Sequence, residues 1–202
     1  MAKIGLKYPV AAQLGEGNEY EPGFVIAKAI TANVTPNNND STLYADDGEA
    51  ETDKSFRNAG FSLNIDDLTQ KVYADLLGHT YQAASASDPQ TPETVVASAN
   101  DIAPFFGVGF YGKVQRNNKP CWQAKWLKKV QFSEPSDETQ TKGESTEFQT
   151  PTIEGTAYQL EDGTWKEQAE FTTEAEARTW LETKVGITGS TSGDGQGGAG
   201  GE

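Results

Sequence analysis

Acyl transfer through a histidine base, or a histidine-ligated metal, needs an imidazole, and this sequence supplies one, His79. Any Ser-His-Asp triad, Cys-His dyad or histidine-bearing metal site must pass through it. It follows Gly78 at the end of a stretch with helical spacing. There it is expected to be exposed in a turn, or to favour the negative end of the helix when protonated. Cys121 is the single cysteine; only Lys119 and Lys125 stand near it to lower its pKa, so an inert thiol is expected, with no intrachain disulfide.

Gly107-Val-Gly109-Phe-Tyr-Gly112 has the G-x-G-x-x-G form that cradles a pyrophosphate when it joins a strand to a helix. Here Lys113 to Lys119 leads through Asn117-Asn118 into another strand pattern, and no helix end is supplied. The glycines are expected to relieve crowding or mark bulges in an aromatic strand. Asp46, Asp47, Glu49 and Glu51 surround Gly48, but a calcium loop places oxygen ligands five and three residues before its glycine, where this chain has Leu43 and Ala45. A glycosidase carboxylate pair needs a sugar-stacking groove, and only Tyr44 stands beside these acids. Trp122 and Trp126 share one face of a strand with Ala124 between them, which suits core packing better than a ligand platform. The expectation is no catalytic, cofactor-binding or metal-binding residue.

Composition points the same way. Sixteen Lys and Arg against thirty Asp and Glu give a formal net charge of −14, which disfavours binding to nucleic-acid phosphates or anionic lipid. No apolar run approaches the ~20 residues of a membrane helix. No basic segment followed by an apolar run opens the sequence, so folding in a reducing cytoplasm is expected.

The elements that must position these residues read as mainly β. Val25 to Thr35 is a strand pattern with Ile26, Ile30 and Val34 on one face, which Pro36 should halt. Asn37 to Phe56 is polar and acidic, with few bulky apolar residues, and should project as an arm. Phe61, Leu63 and Ile65 alternate with polar residues as in a half-buried strand. Asp66 and Asp67 stand at N-cap positions before Leu68, Val72 and Leu76 at helical spacing, and Gly78 ends that helix. Ser85 to Thr94 and Ser133 to Ser145 read as polar loops. Phe105 to Gln115 with Trp122 to Phe132 form one hairpin pattern, and Phe148 to Leu160 with Thr164 to Phe171, around Glu161-Asp162-Gly163, form a second. Thr173 with Glu176 has the capping-box form and opens a C-terminal helix to Val185. The expected organisation is one domain over 1–187, an arm at about 37–56, and a disordered glycine-rich tail over 188–202.

Several strings add a resemblance. Lys3-Ile-Gly-Leu-Lys-Tyr-Pro-Val10, Leu43-Tyr-Ala-Asp-Asp47, Asp66-Asp-Leu68 and Ala74-Asp-Leu-Leu-Gly-His79 resemble the major tail protein of long-tailed phages of Gram-positive hosts. Ser98 to Pro104 with Gly107 to Gly112, Phe132 to Asp137 with Thr141 to Ser145, and Thr150 to Gly155 fit the same family, over about residues 1–187. That resemblance implies a β-sandwich or half-barrel with a flanking helix. Its subunits would form hexameric rings, stacked into a tail tube through which DNA passes without specific binding. It implies assembly in the host bacterial cytoplasm, residence in the virion tail, and the tape measure, tail terminator and distal tail proteins as partners. It carries no catalytic residue or cofactor. In such a tube the arm is expected to reach a neighbouring ring, with Leu43 and Tyr44 as apolar anchors and Asp46, Asp47, Glu49 and Glu51 as a charged rim. A carbohydrate-binding β-sandwich on a virion surface, using Tyr111, Trp122 and Trp126, is the alternative.

Overall fold

The computed structural model describes residues 2–45, 48–85, 91–116, 119–136 and 150–187. Strands β1 (Ala2–Gln13), β2 (Phe24–Val25), β3 (Ala29–Asn38), β4 (Ser41–Ala45), β5 (Gly48–Asp53) and β6 (Phe56–Ile65) precede helix α1 (Gln70–Leu77). Strands β7 (Thr80–Gln82), β8 (Thr94–Val96), β9 (Phe105–Arg116), β10 (Lys119–Ser133), β11 (Thr152–Tyr158) and β12 (Lys166–Phe171) follow, then helix α2 (Glu174–Val185). The fold is mainly β, with α1 flanking the sheet and α2 as a short C-terminal helix. No helix among the described residues is long and apolar enough to cross a membrane.

The main sheet is antiparallel in the order β2-β1-β9-β10-β11-β6-β3, with β12 also paired to β10. Strand β10 has a different neighbour along each half: β12 lies against Trp122 to Leu127, and β11 against Lys129 to Ser133. Its register with β9 slips between Leu127 and Val130. A bulge of this kind bends the strand and raises its twist, so the sheet folds over on itself here.

The first expected hairpin is β9–β10. The second is corrected, because β11 and β12 do not pair with each other; they lie end to end along one edge of β10. The turn between them exists, closed by the Leu160 N–H on the Thr164 carbonyl (2.8 Å) with Gly163 at φ 78°. It is an excursion from one interrupted strand, over the bend in β10. A tight turn between two β patterns announces a reversal, but it does not say which strand each arm finds next.

Folding over brings two apolar faces together. Phe106, Val108 and Phe110 of β9 meet Phe61, Leu63 and Ile65 of β6 and Ile153 of β11, all buried, and α1 adds Leu76 and Leu77. At roughly 25 cal/mol per Å² of apolar surface removed from water, this layer dominates stability. The other face of β1, β9 and β10 is covered separately: Ala177, Leu181 and Val185 of α2 pack on Val10, Tyr111, Ala124 and Trp126. Helix α2 starts at the expected capping box, Thr173 Oγ1 accepting from the Glu176 N–H (3.3 Å) and Glu176 Oε2 from the Thr173 N–H (3.0 Å).

Three local expectations change. Helix α1 is capped by Thr69, whose hydroxyl accepts from the Val72 N–H; Asp66 instead takes the N–H groups of Lys28 and Asp67, both at 3.0 Å. The Val25–Thr35 strand is broken into β2 and β3, and Ile30 is 49% exposed while Ile26 is buried, so the two do not share a buried face. Pro36 does not halt β3, which runs on to Asn38 with Pro36 opposite Ala59. Strand β3 is the edge of the sheet, and an edge can place the missing proline N–H on its outer side.

Candidate functional site

The fold closes only in part. Strand β3 is bonded to β6 alone, and β1 has β9 on one side and β2 on the other only at Val10 and Ala11. The outer edge of β3 and the first half of β1 therefore stand unpaired among the described strands. They approach each other across a cavity of about 230 Å³ lined by Gly5 and Leu6 from β1, Thr31 and Ala32 from β3, and Phe110 between them. Each edge carries a half-exposed isoleucine, Ile4 at 52% and Ile30 at 49%. With Cα atoms of β1 and β3 within 8 Å of each other, the sheet comes close to closing on itself here without a hydrogen-bonded ladder among the described residues.

Between β3 and β6 the chain leaves the sheet as the β4–β5 hairpin, whose strands pair only with each other. The base is pinned by the Asn39 N–H on the Ser55 carbonyl (2.8 Å) and Asn39 Nδ2 on Ser55 Oγ (3.0 Å). Leu43 and Tyr44 fall on β4, Glu49 and Glu51 on β5, with Leu43 opposite Glu51 and Tyr44 opposite Glu49. Asp46 and Asp47, at the tip, lie outside the described residues. The expected arm at 37–56 is thus a two-stranded ribbon joined to β3 and β6 at its base. Residues 188–202, and with them the expected glycine-rich tail, also lie outside the described set.

Sheet faces differ in cover. Asn33 and Ser62 stand opposite each other, as do Asn37 and Asn58, and Ser62 is also opposite Glu154 of β11. These residues share the face of β3, β6 and β11 that points away from the core, since their neighbours Phe61, Leu63 and Ile153 are buried. Asn37 Nδ2 donates to Asn58 Oδ1 (2.9 Å) and Asn64 Nδ2 to Thr152 Oγ1 (2.9 Å), so apart from Glu154 these positions form a lattice of neutral amides and hydroxyls. Helix α2 covers only the other half. It is held there by Glu174, which accepts from Lys7 Nζ (2.9 Å) and the Tyr111 hydroxyl (3.0 Å), and by Glu182, which accepts from Tyr8 (3.0 Å) and Arg178 (2.8 Å). The Lys7 bond holds Glu174 below the ordinary carboxylate range, and burial, followed by the Glu174 contact, pushes Tyr111 up.

The residues singled out for chemistry are dispersed. Gly107 and Gly109 sit mid-strand in β9, where a Cβ would run into the Trp126 ring, and at Gly109 also into Leu181 Cδ2 at 2.6 Å. They relieve crowding, as expected, and no helix follows. Trp126 is 1% exposed and Tyr111 3%, so neither belongs to a sugar platform; Trp122 packs edge-on to Tyr111 under Lys7. Cys121 is half-buried with its thiol 3.4 Å from the Val114 carbonyl. Among the described residues no group of three or more His, Cys, Asp and Glu is placed to hold a metal ion.

His79 departs from expectation. Its side chain is 7% exposed, with Nδ1 2.8 Å from Asp101 Oδ2 and Nε2 3.1 Å from Glu134 Oε2. Asp101 also accepts the Ser98 N–H (2.8 Å), and the Tyr73 hydroxyl donates to Glu134 Oε1. Burial pulls the imidazole pKa down, but the bonds to Asp101 and Glu134 and their charges outweigh it, and the net shift is upward. Asp101 is lowered by the Ser98 bond first and His79 second. Local sequence could not show this, because the partners lie 22 and 55 residues away.

Comparison of the sequence with known protein families and with curated proteins returned no match.

Proposed function

We propose that this chain is the repeating subunit of a long-tailed bacteriophage tail tube, assembling as stacked hexameric rings that conduct DNA into the host cell. The observation that carries the reading is the β4–β5 hairpin, which leaves an otherwise well-packed sheet between β3 and β6 and pairs with no described strand but itself. A two-stranded ribbon is marginally stable without a neighbour to pack on, and a second copy can supply one. The β4–β5 hairpin extends beyond the sheet and is free to bridge successive rings. A net charge of −14 suits a conduit that must not hold DNA, since a duplex carries one negative charge per about 1.7 Å of axis. The chain would be assembled in the host bacterial cytoplasm and reside in the virion tail, next to the tape measure, terminator and distal tail proteins.

Negative-stain microscopy of the purified protein, concentrated or seeded with preformed tubes, tests the reading. Hollow tubes with a regular ring repeat are expected. A chain that stays monomeric under all such conditions and binds a host-wall sugar specifically belongs to the carbohydrate-binding class instead.

A further inference from the structure

The carboxylates on either side of His79 present only lone pairs, so both ring nitrogens must donate for both contacts to be made. A neutral imidazole has one N–H. It can serve one carboxylate, and its other nitrogen then turns a lone pair toward the second. At 2.8 and 3.1 Å both contacts are satisfied only when the ring is an imidazolium, and its side chain is 7% exposed.

Three separate pieces of chain meet there. His79 follows α1, its N–H on the Ala74 carbonyl (3.0 Å); Asp101 belongs to the segment before β9; Glu134 follows β10 directly. Gly78 lies tight against the same segment, since a Cβ on it would stand 2.6 Å from the Ile102 carbonyl. We propose that His79 is a pH-sensitive clamp: its doubly protonated ring fastens the end of α1 to the 98–104 segment and to the end of β10, and loss of one ring proton breaks its bond to Glu134, leaving the Tyr73 hydroxyl as that carboxylate's partner on α1. The proposal rests on this cluster alone and holds whatever the chain assembles into.

Of the ring's two bonds, the one to Glu134 is the one that gives. The Glu134 side chain is 58% exposed and can turn to water, whereas Asp101 is 19% exposed and also held by the Ser98 N–H. The other charged and titratable groups do not replace the lost bond. Tyr73, from α1, already donates to Glu134; Lys71 and Asp75 of α1 and Glu21 line the groove beside the ring, and Glu93, across the neighbouring cavity, accepts from Tyr81.

The sign follows from the two shifts. A histidine raised by folding contributes stability that is complete below its unfolded pKa and is lost as the pH rises through the folded one. Asp101, lowered by folding, contributes stability that is lost as the pH falls through its folded pKa. The clamp is closed between those limits and opens on both sides, through His79 on the alkaline side.

Because His79 is the only histidine, nitrogen-15 NMR of the full chain reads its ring without ambiguity. Expected are two protonated ring nitrogens below the titration midpoint and a midpoint above the ordinary 6.5. Hydrogen exchange in 98–104 and 133–136, corrected for intrinsic rates, should accelerate about tenfold per pH unit between the ordinary value and that midpoint. Glu134→Gln keeps the shape, and its amide can satisfy a neutral ring, so the midpoint should fall and the acceleration shrink. A wild-type midpoint at or below 6.5 overturns the proposal. So does a midpoint unmoved in Glu134→Gln, or corrected exchange flat with pH. Should that variant not fold, the wild-type titration and exchange decide alone.

Discussion

At the scale of single residues, Trp126 organises the half of the molecule that α2 covers. Its indole N–H reaches the Tyr20 hydroxyl at 3.3 Å, that hydroxyl donates to the Lys128 carbonyl at 2.9 Å, and the two rings meet edge to face at 85°. Gly107 and Gly109 are the space this ring occupies. Gly109→Ala should therefore overpack the layer between β9 and α2 and cost about 1–3 kcal/mol. For a chain of this size that is a drop in melting temperature of roughly 2–4 °C per kcal/mol, read by circular dichroism. Trp126→Ala should cost more, about 3–5 kcal/mol, because it leaves a cavity that the two glycines cannot fill. The role of these glycines was legible in the sequence, because an aromatic strand pattern on both sides contradicts a phosphate loop. The burial of His79 was not, since a histidine after a helix-ending glycine looks the same whether or not distant carboxylates close over it.

Among the elements, legibility followed the range of the interaction that decides each one. Helix α2 is fixed by four consecutive residues at its start and by Gly186 at φ 65° after its end, and both were readable. Thr173→Ala removes one half of that capping box. It should cost about 1 kcal/mol, seen as a small fall in melting temperature with the β signal of the spectrum unchanged. Strands β9 and β10 were equally readable, because a hairpin is a local pairing. Strands β11 and β12 were misread for the opposite reason: their partner is β10, and the bulge that lets one strand serve two neighbours is a matter of register. Pro36 marks a related limit. Proline excludes a central strand, but it cannot distinguish a strand's end from its membership of a sheet edge.

For the molecule as a whole, the tube proposal requires that folding and assembly be separable. The β4–β5 ribbon pairs only with itself, so replacing Leu43 and Tyr44 by Ser should leave the monomer's melting temperature nearly unchanged while slowing or abolishing tube growth. Protection of the ribbon's amides before assembly, at the level of β6, would instead make it part of the domain's own sheet. The uncovered face carries a further expectation under the tube proposal. Since α2 shields one half of the folded sheet, the amide-rich face of β3, β6 and β11 is the broad one left to look into a bore. Asn33, Asn37, Asn58, Ser62 and Glu154 give it neutral groups and one negative charge, with Lys129 of β10 at its border opposite Tyr158. Lysine at Asn33 and Ser62 would change that without touching the core, because both side chains point away from Phe61 and Leu63. In a sixfold ring the pair repeats at every level of the tube, and each phosphate neutralised steepens the salt dependence of binding by about 0.9 in log–log slope. Tubes of the double variant should form normally and retain duplex DNA at low salt, releasing it as salt is raised, whereas wild-type tubes retain none. Equal retention by both, in tubes of normal appearance, would place this face on the outside and assign the bore to the α2 side of the sheet.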